Sequence, residues 1–328
     1  MTKKASAICI LVLCIGMLIA CSGKKATPTE VNVAVLRGPT AIGIMQLMDE
    51  VDNGRIDSNN YSIEIAGSVD EIVPQIVQGT IDIAAVPANL AAILYNNTEG
   101  AVQVLAVHTL GMVYIVEQGE TINSVLDLRG KTIIASGKGV PQEYALNYIL
   151  RENGLDPDQD LNIEWKSEHT EVVAALMSGT ASIAMLPQPF VTTAIMSDES
   201  IRIALDINEE WDRIQDSSTN QSSLIMGVMI ARADFIKENP DAVADFLDRY
   251  AESIDYANNS ISETAGLVEH YGIFTEAVAQ RAIPYCNITF IEGREMMERF
   301  SGFLRVLYEQ NPQSIGGALP SEEFYFSR

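Results

Sequence analysis

One stretch of this chain is written twice, one hundred residues apart, and that repetition narrows the folds open to it. Glu71 to Pro87 reads EIVPQIVQGTIDIAAVP, and Glu171 to Pro187 reads EVVAALMSGTASIAMLP. Seven positions are identical without a gap: Glu71/Glu171, Val73/Val173, Gly79/Gly179, Thr80/Thr180, Ile83/Ile183, Ala84/Ala184 and Pro87/Pro187. The upstream segments correspond as well. VNVAVLRGP from Val31 and KTIIASGKGVP from Lys131 are each an apolar run, a glycine-bearing turn and then a helix-like pattern. Two copies of one strand–turn–helix unit predict two like-built α/β lobes, with the cleft between them as the leading place for a ligand.

Strand and helix patterns alternate along most of the chain, which predicts lobes built on mostly parallel sheets. VNVAVL (31–36), IDIAAV (81–86) and VQVLAV (102–107) read as strands of the first lobe. After Gly38 and Pro39, apolar residues at Ala41, Ile44, Met45 and Met48 follow helical spacing. Pro39 suits a first helical turn, where its missing N–H has no helical partner to lose. A second lobe opens after Val116, with strands through Ala135 and at 162–165, 182–186 and 201–205, and a helix from Pro141 to Asn153. LIMGVMIA (224–231) reads as a strand returning to the first lobe. Beyond it Val243, Phe246, Leu247, Tyr250 and Ile254 form one apolar helix face, a core stripe rather than a cofactor site. Residues 261–310 read as further helices on the outside of that lobe. The expected division is therefore 31–116 plus 225–328 for lobe one and 117–224 for lobe two, with hinge crossings near Val116 and Ser223.

The N-terminus reads as a processing segment. Lys3 and Lys4 precede an apolar run from Ala5 to Ala20, short for a membrane span and typical of a secretory signal. Leu18-Ile19-Ala20-Cys21 resembles a lipobox, so residues 1–20 are expected to be removed and Cys21 to carry lipid. Residues 21–30 would then form a polar tether. Cys9 and Cys14 leave with the signal, and only Cys286 remains as a thiol. That excludes an intramolecular disulfide and a two-cysteine zinc motif in the mature domain.

Charge and motifs exclude further classes. The formal net charge is −23, and loss of Lys3 and Lys4 makes it −25. Such a surface repels nucleic-acid phosphates. The three histidines, His108, His169 and His270, share no metal-ligand spacing. Gly130-Lys131-Thr132 resembles the end of a P-loop, but the glycine required five residues earlier is Val125. No G-x-S-x-G elbow or H-E-x-x-H is present. The chain is expected to be no enzyme and to need no cofactor or metal.

What recurs instead is a strand ending in a turn that opens a helix, at Arg37-Gly38-Pro39-Thr40, Pro87-Ala88-Asn89, 136–141 and Pro187-Gln188-Pro189. Each would aim backbone N–H groups past the carboxyl edge of a sheet, where α/β proteins bind ligands. Any one of them alone reads more readily as an ordinary βα connection; four at corresponding places in two lobes favour a shared site. The candidate ligand-binding residues are Arg37, Gly38, Pro39, Thr40, Pro87, Asn89, His108, Ser136, Lys138, Gly139, Val140, Pro141, Gln188 and Pro189. Arg37 and Lys138 are placed to neutralise an anion or are exposed turn ends. His108 ends a strand, and Asn89 contacts ligand or caps its helix. Tyr114, Tyr144 and Phe190 lie near the expected cleft and offer planar surfaces.

These residues carry a resemblance. The lipobox, GPTAIGIMQLM, QGTIDIAAVPANLAAILYN, LDLRGKTIIASGKG and GVMIARADFIKENPDAVADFL together resemble an ABC-transporter substrate-binding lipoprotein of the nitrate, sulfonate, taurine and thiamine-precursor (pyrimidine) binding family. The resemblance implies a type II periplasmic-binding-protein fold with a hinge and an interlobe cleft. It also implies a monomer, lipid-anchored at the cell surface or in the periplasm, that clamps a small polar or anionic organic molecule and delivers it to a membrane permease and its ATPase. The cysteine-rich signature of pyrimidine-synthesising relatives is absent. The same fold also suits a ligand-sensing lipoprotein that presents its closed state to a signalling partner.

Overall fold

The computed structural model describes residues 28–216 and 222–328. The expected signal segment and Cys21 lie outside the described residues. The chain runs in three stretches. The first contains β1 (Glu30–Leu36), α1 (Pro39–Ile42), α2 (Met45–Asp52), β2 (Asn60–Ala66), α3 (Val69–Gln78), β3 (Ile83–Pro87), α4 (Ala88–Asn97) and β4 (Val102–Leu110). The second contains β5 (Val113–Gln118), β6 (Thr132–Ser136), α5 (Pro141–Glu152), β7 (Asn162–Lys166), α6 (His169–Met177), β8 (Ile183–Pro187), α7 (Phe190–Ser197), β9 (Ile201–Asp206) and α8 (Ile207–Gln215). The third contains β10 (Ile225–Arg232), α9 (Ala233–Glu238), α10 (Pro240–Asn259), α11 (Ile261–His270), α12 (Glu276–Ala282), β11 (Ile288–Ile291) and α13 (Gly293–Gln310).

Two sheets result, in the order β11-β4-β10-β3-β1-β2 and β7-β6-β8-β5-β9. With edge strand β11 set aside, the two orders match when β10 is equated with β5. Those two strands bring the chain into each lobe from the other, and each runs antiparallel to both of its neighbours. Among the named strands, parallel pairing is confined to β1 with β2 and β3, and to β6 with β7 and β8. The sheets are therefore mixed, not mostly parallel, because the crossing strands oppose the local βα units. Since β5 belongs to the second sheet, the chain changes sheet at Gly111–Met112, ahead of the expected crossing near Val116.

Five of the seven repeated pairs have a structural explanation. Gly79 and Gly179 end α3 and α6 in the left-handed region, at φ 77° and 70°. Thr80 N–H then donates to the Gln75 carbonyl at 2.9 Å, and Thr180 N–H to the Ala175 carbonyl at 3.0 Å, which satisfies carbonyls left over at a helix end. At the other ends, the Glu71 carboxylate accepts from Gly67 N–H at 3.1 Å and the Glu171 carboxylate from Ser167 N–H at 2.9 Å. Ile83, Ala84, Ile183 and Ala184 are buried in the strands that follow. The repeated residues are mostly scaffold that aims the βα turns, and of the fourteen only Val173 lines the interlobe cavity among the described residues.

Three apolar clusters fill the molecule. One, with Val33, Ile42, Met229, Phe246 and Tyr250, packs α1, α2 and α10 on the first sheet. A smaller one, with Val116, Val172, Leu186 and Val191, packs α6 and α7 on the second. The largest runs through both sheets, from Val104 and Val228 to Val113, Ile133 and Leu146, and takes in Phe300, Phe303 and Leu307 of α13. The expected stripe on α10 is buried as predicted. The helix expected to run on through Met48 is divided at Gly43–Ile44. There a Cβ on Gly43 would lie 3.1 Å from Ile254 and 3.2 Å from Ile288, so α10 and β11 approach the backbone closely. The region 261–310 holds strand β11 as well as helices, and α13 also touches the second lobe: Gln310 Nε2 donates to the Tyr144 carbonyl at 3.2 Å.

Candidate functional site

The carboxyl ends of β1, β2, β7 and β8 face a common cavity of about 500 Å³. The first lobe supplies Arg37, Gly38 and Pro39 after β1, Gly67 after β2, and Ile273 and Phe274 between α11 and α12. The second lobe supplies Glu168, His169, Thr170 and Val173 from the turn and start of α6, with Phe190 and Thr193 from α7. Gly38 sits at φ 122°, a conformation that glycine reaches at no steric cost, and this lets β1 turn sharply at the cavity wall. A second cavity of about 320 Å³ lies among Ile76, Val77, Leu94 and Arg232 and draws on the first lobe alone.

Polar groups in the interlobe cavity are few and held in place. Arg37 Nη1 donates to the Gly272 carbonyl at 2.9 Å. The His169 ring hydrogen-bonds through Nδ1 to the Ser136 hydroxyl. Burial lowers the His169 pKa to about 4, so the ring is neutral at physiological pH. Glu168, the one acid lining the cavity among the described residues, forms a reciprocal capping box with Glu171 at the start of α6. An aromatic series crosses the cleft: His169 lies 4.8 Å from Phe190, ring centre to ring centre, and Phe190 meets Phe274 of the other lobe edge-on at 5.3 Å.

The candidates chosen from sequence divide into three groups. Arg37, Gly38 and Pro39 line the cavity, and Ser136 stands directly behind its His169 wall. Others are occupied locally. The Thr40 hydroxyl donates to the Leu36 carbonyl at 2.9 Å, and Pro87 precedes the first turn of α4. Gly139 N–H donates to Glu143 Oε2 at 2.5 Å, between Val140 and exposed Lys138, and Pro141 is buried as the first residue of α5. Gln188 Oε1 accepts from the Thr192 hydroxyl at 2.8 Å and from Thr192 N–H at 3.2 Å, and Pro189 follows a cis peptide bond. At the start of α7 the Thr192 N–H is thus taken by the Gln188 side chain, and in the turn before α5 the Gly139 N–H is taken by Glu143.

Asn89 and His108 form the third group. Asn89 is buried on α4, and its amide donates to the Gly139 carbonyl of the second lobe at 3.0 Å and to the Ser314 carbonyl at 3.2 Å. It ties lobes together and does not line the cavity. His108 is buried between β4 and β10, its Nδ1 within 2.7 Å of the Thr109 hydroxyl, and a Cβ on Gly227 would lie 2.5 Å from its ring. The close packing of Gly227 holds it in the core, away from the cleft. Tyr114 is buried as well, whereas Phe190 lines the cavity.

Gly67, Glu168, His169, Thr170, Val173, Thr193, Ile273 and Phe274 were not expected from sequence. The turns after β2 and β7 also stand one hundred residues apart, but the NYSIEIA of β2 alternates with exposed polar residues and lacks the continuous apolar run of a strand such as β3. Ile273 and Phe274 reach the site only through packing of α11 and α12, for which the local sequence carries no signal.

Two α/β lobes with a cavity between the carboxyl ends of their sheets define a two-lobed solute-binding protein. The sequence model of the ABC transporter phosphonate periplasmic substrate-binding protein family matches residues 59–257, and the chain belongs to that family. Solved structures share the fold. An ABC transporter protein from Parabacteroides distasonis is 23% identical, with a TM-score of 0.76 over 92% of this chain and 99% of that one. The periplasmic aliphatic sulphonate binding protein SsuA from Escherichia coli is 14% identical, with a TM-score of 0.73 over 92% of each chain. The periplasmic nitrate-binding protein NrtA from Synechocystis is 13% identical, with a TM-score of 0.62 over 90% of this chain and 83% of that one. No curated protein matches the chain.

Proposed function

We propose that this protein captures a small polar or anionic organic molecule between its lobes and delivers it to an ABC importer. The observation that carries the reading is the cavity of about 500 Å³ lined from both lobes, with Arg37 as its cation and an aromatic wall. A ligand that touches both walls favours the closed arrangement over the open one by its extra contacts, and closure is the signal a permease can read. Family membership and the solute-binding neighbours support the same reading. No catalytic step is proposed. The mature chain is proposed to be a monomer held outside the cytoplasmic membrane by lipid on Cys21. Among the described residues no helix is long and apolar enough to cross a membrane. The lobes are proposed to divide at Gly111–Met112 and near Ser223, in keeping with the strands each sheet contains.

The test is a thermal-shift screen of the intact protein with sulfonates, phosphonates, nitrate, pyrimidines and aromatic acids, supported by native mass spectrometry. One compound should raise the melting temperature in proportion to the logarithm of its concentration above Kd. Pro39→Trp, which fills the cavity, should abolish that shift and leave the unliganded melting temperature within a few degrees. A shift that survives Pro39→Trp places the ligand elsewhere.

A further inference from the structure

Ser136 ends β6 with 1% of its surface exposed, and among the described residues its hydroxyl has one hydrogen-bond partner, His169 Nδ1. A buried hydroxyl left without an acceptor for its proton costs about 1–3 kcal/mol. If Nδ1 carried the imidazole proton, the Ser136 proton would have no acceptor. Ser136 therefore donates, Nδ1 accepts, and the single proton of the neutral ring sits on Nε2. Burial lowers the His169 pKa to about 4, so no second proton joins it at pH 7.

The ring edge opposite Ser136 carries that Nε2–H, and among the described residues no acceptor takes it. His169 shares the cavity with the Arg37 guanidinium, of which Nη1 is occupied by the Gly272 carbonyl. Glu168 is committed to the start of α6. The polar wall thus offers mainly donors, and the surface beside it is Phe190 and Phe274. We propose that Ser136 locks His169 in its Nε2–H tautomer as a specificity-determining donor, selecting ligands that join an oxyanion to a planar apolar body. The oxyanion lies between His169 Nε2–H and Arg37, and the planar part lies against Phe190 and Phe274. This rests on the interlobe cavity being the ligand site. Ser136, buried behind the wall, is a positioning residue.

The tautomer can be read without any ligand. Two-bond ¹H–¹⁵N correlation spectra of the intact protein with labelled imidazoles contain three histidines, His108, His169 and His270. His169→Gln assigns the one of interest by its loss. At pH 7 the ring should be protonated on Nε2 alone, and Ser136→Ala should spread the proton over both nitrogens. A ring protonated on Nδ1, or a tautomer unmoved by Ser136→Ala, overturns the lock. Calorimetric titration then uses benzenesulfonate against methanesulfonate. Benzenesulfonate should bind more tightly, His169→Gln should keep its affinity within about threefold, and His169→Ala should lose about tenfold, one hydrogen bond's worth. Equal binding of the two sulfonates, no binding of benzenesulfonate, or no loss in His169→Ala overturns the ligand class even where the tautomer is as stated. Failure of the cavity reading itself shows differently, as a thermal shift that survives Pro39→Trp.

Discussion

At the scale of single residues, buried His108 and half-buried His169 show how one side chain type serves two ends. His169 stands at a cavity with a hydroxyl behind it; His108 stands in the core with its Nε2 buried and, among the described residues, without a hydrogen-bond partner. Burial lowers the His108 pKa from 6.5 to about 4. The unfolded chain takes up this proton as pH falls below its ordinary value near 6.5, whereas the folded chain resists until about 4. The stabilisation is therefore complete above about pH 6.5 and is lost progressively as pH falls toward 4, by about 3 kcal/mol in all. Wild-type stability, measured by urea unfolding, should drop between pH 7 and pH 5 more steeply than that of His108→Asn. His169 titrates in both proteins and cancels from the comparison. Parallel pH profiles would show that His108 is not buried as a neutral ring. At this scale the sequence was least legible: a histidine at a strand end reads the same whether it faces a cleft or a neighbouring glycine, and only the packing of Gly227 decides.

At the scale of elements, the sequence was most legible where local rules set the structure. The glycine–threonine pair at 79–80 and 179–180 ends a helix in each lobe, and the strands that follow it were recognisable from their apolar runs. Strands β2 and β11 were not, since one alternates with exposed polar residues and the other spans four residues between helices. The two helix-ending glycines also make a controlled pair. Alanine in the left-handed region costs about 1–2 kcal/mol. At Gly179 nothing lies within 4 Å of an added Cβ, so Gly179→Ala should cost about that much. At Gly79 the Cβ would come 3.0 Å from Arg232 Nη1, and Arg232 holds buried Asp82 through Nη2 at 3.0 Å. Gly79→Ala should therefore cost more than Gly179→Ala, and Gly79→Ala combined with Asp82→Asn less than the sum of the single changes, because the contacts are shared. Equal losses at Gly79 and Gly179 in chemical denaturation would remove Arg232 from the account.

At the scale of the whole molecule, two lobes proposed to close on a ligand are also joined by one apolar cluster, and α13 is where both demands meet. Its Phe303 lies 5.5 Å from Trp211 on α8, and Trp211 lies 4.8 Å from Tyr148 on α5, so a helix late in the chain packs on the second lobe through three rings. Arg151 of α5 also donates to Gln310 of α13 at 3.1 Å. The sequence places this segment on the outside of lobe one, and its apolar stripe, which is the same whichever surface it covers, gives no sign that it also packs on the second lobe. A core shared across the hinge predicts that the lobes unfold together. Calorimetry of the wild-type chain should then show a single transition, even though each lobe has a sheet of its own. Phe303→Ala removes a fully buried ring and should cost about 3–5 kcal/mol. If α13 is the coupling element, that loss should also split the transition in two, with the second lobe melting first because its own cluster is the smaller. A variant that melts at lower temperature but still in one step would leave α13 as ordinary core and shift the coupling to the paired crossings at Gly111–Met112 and Ser223.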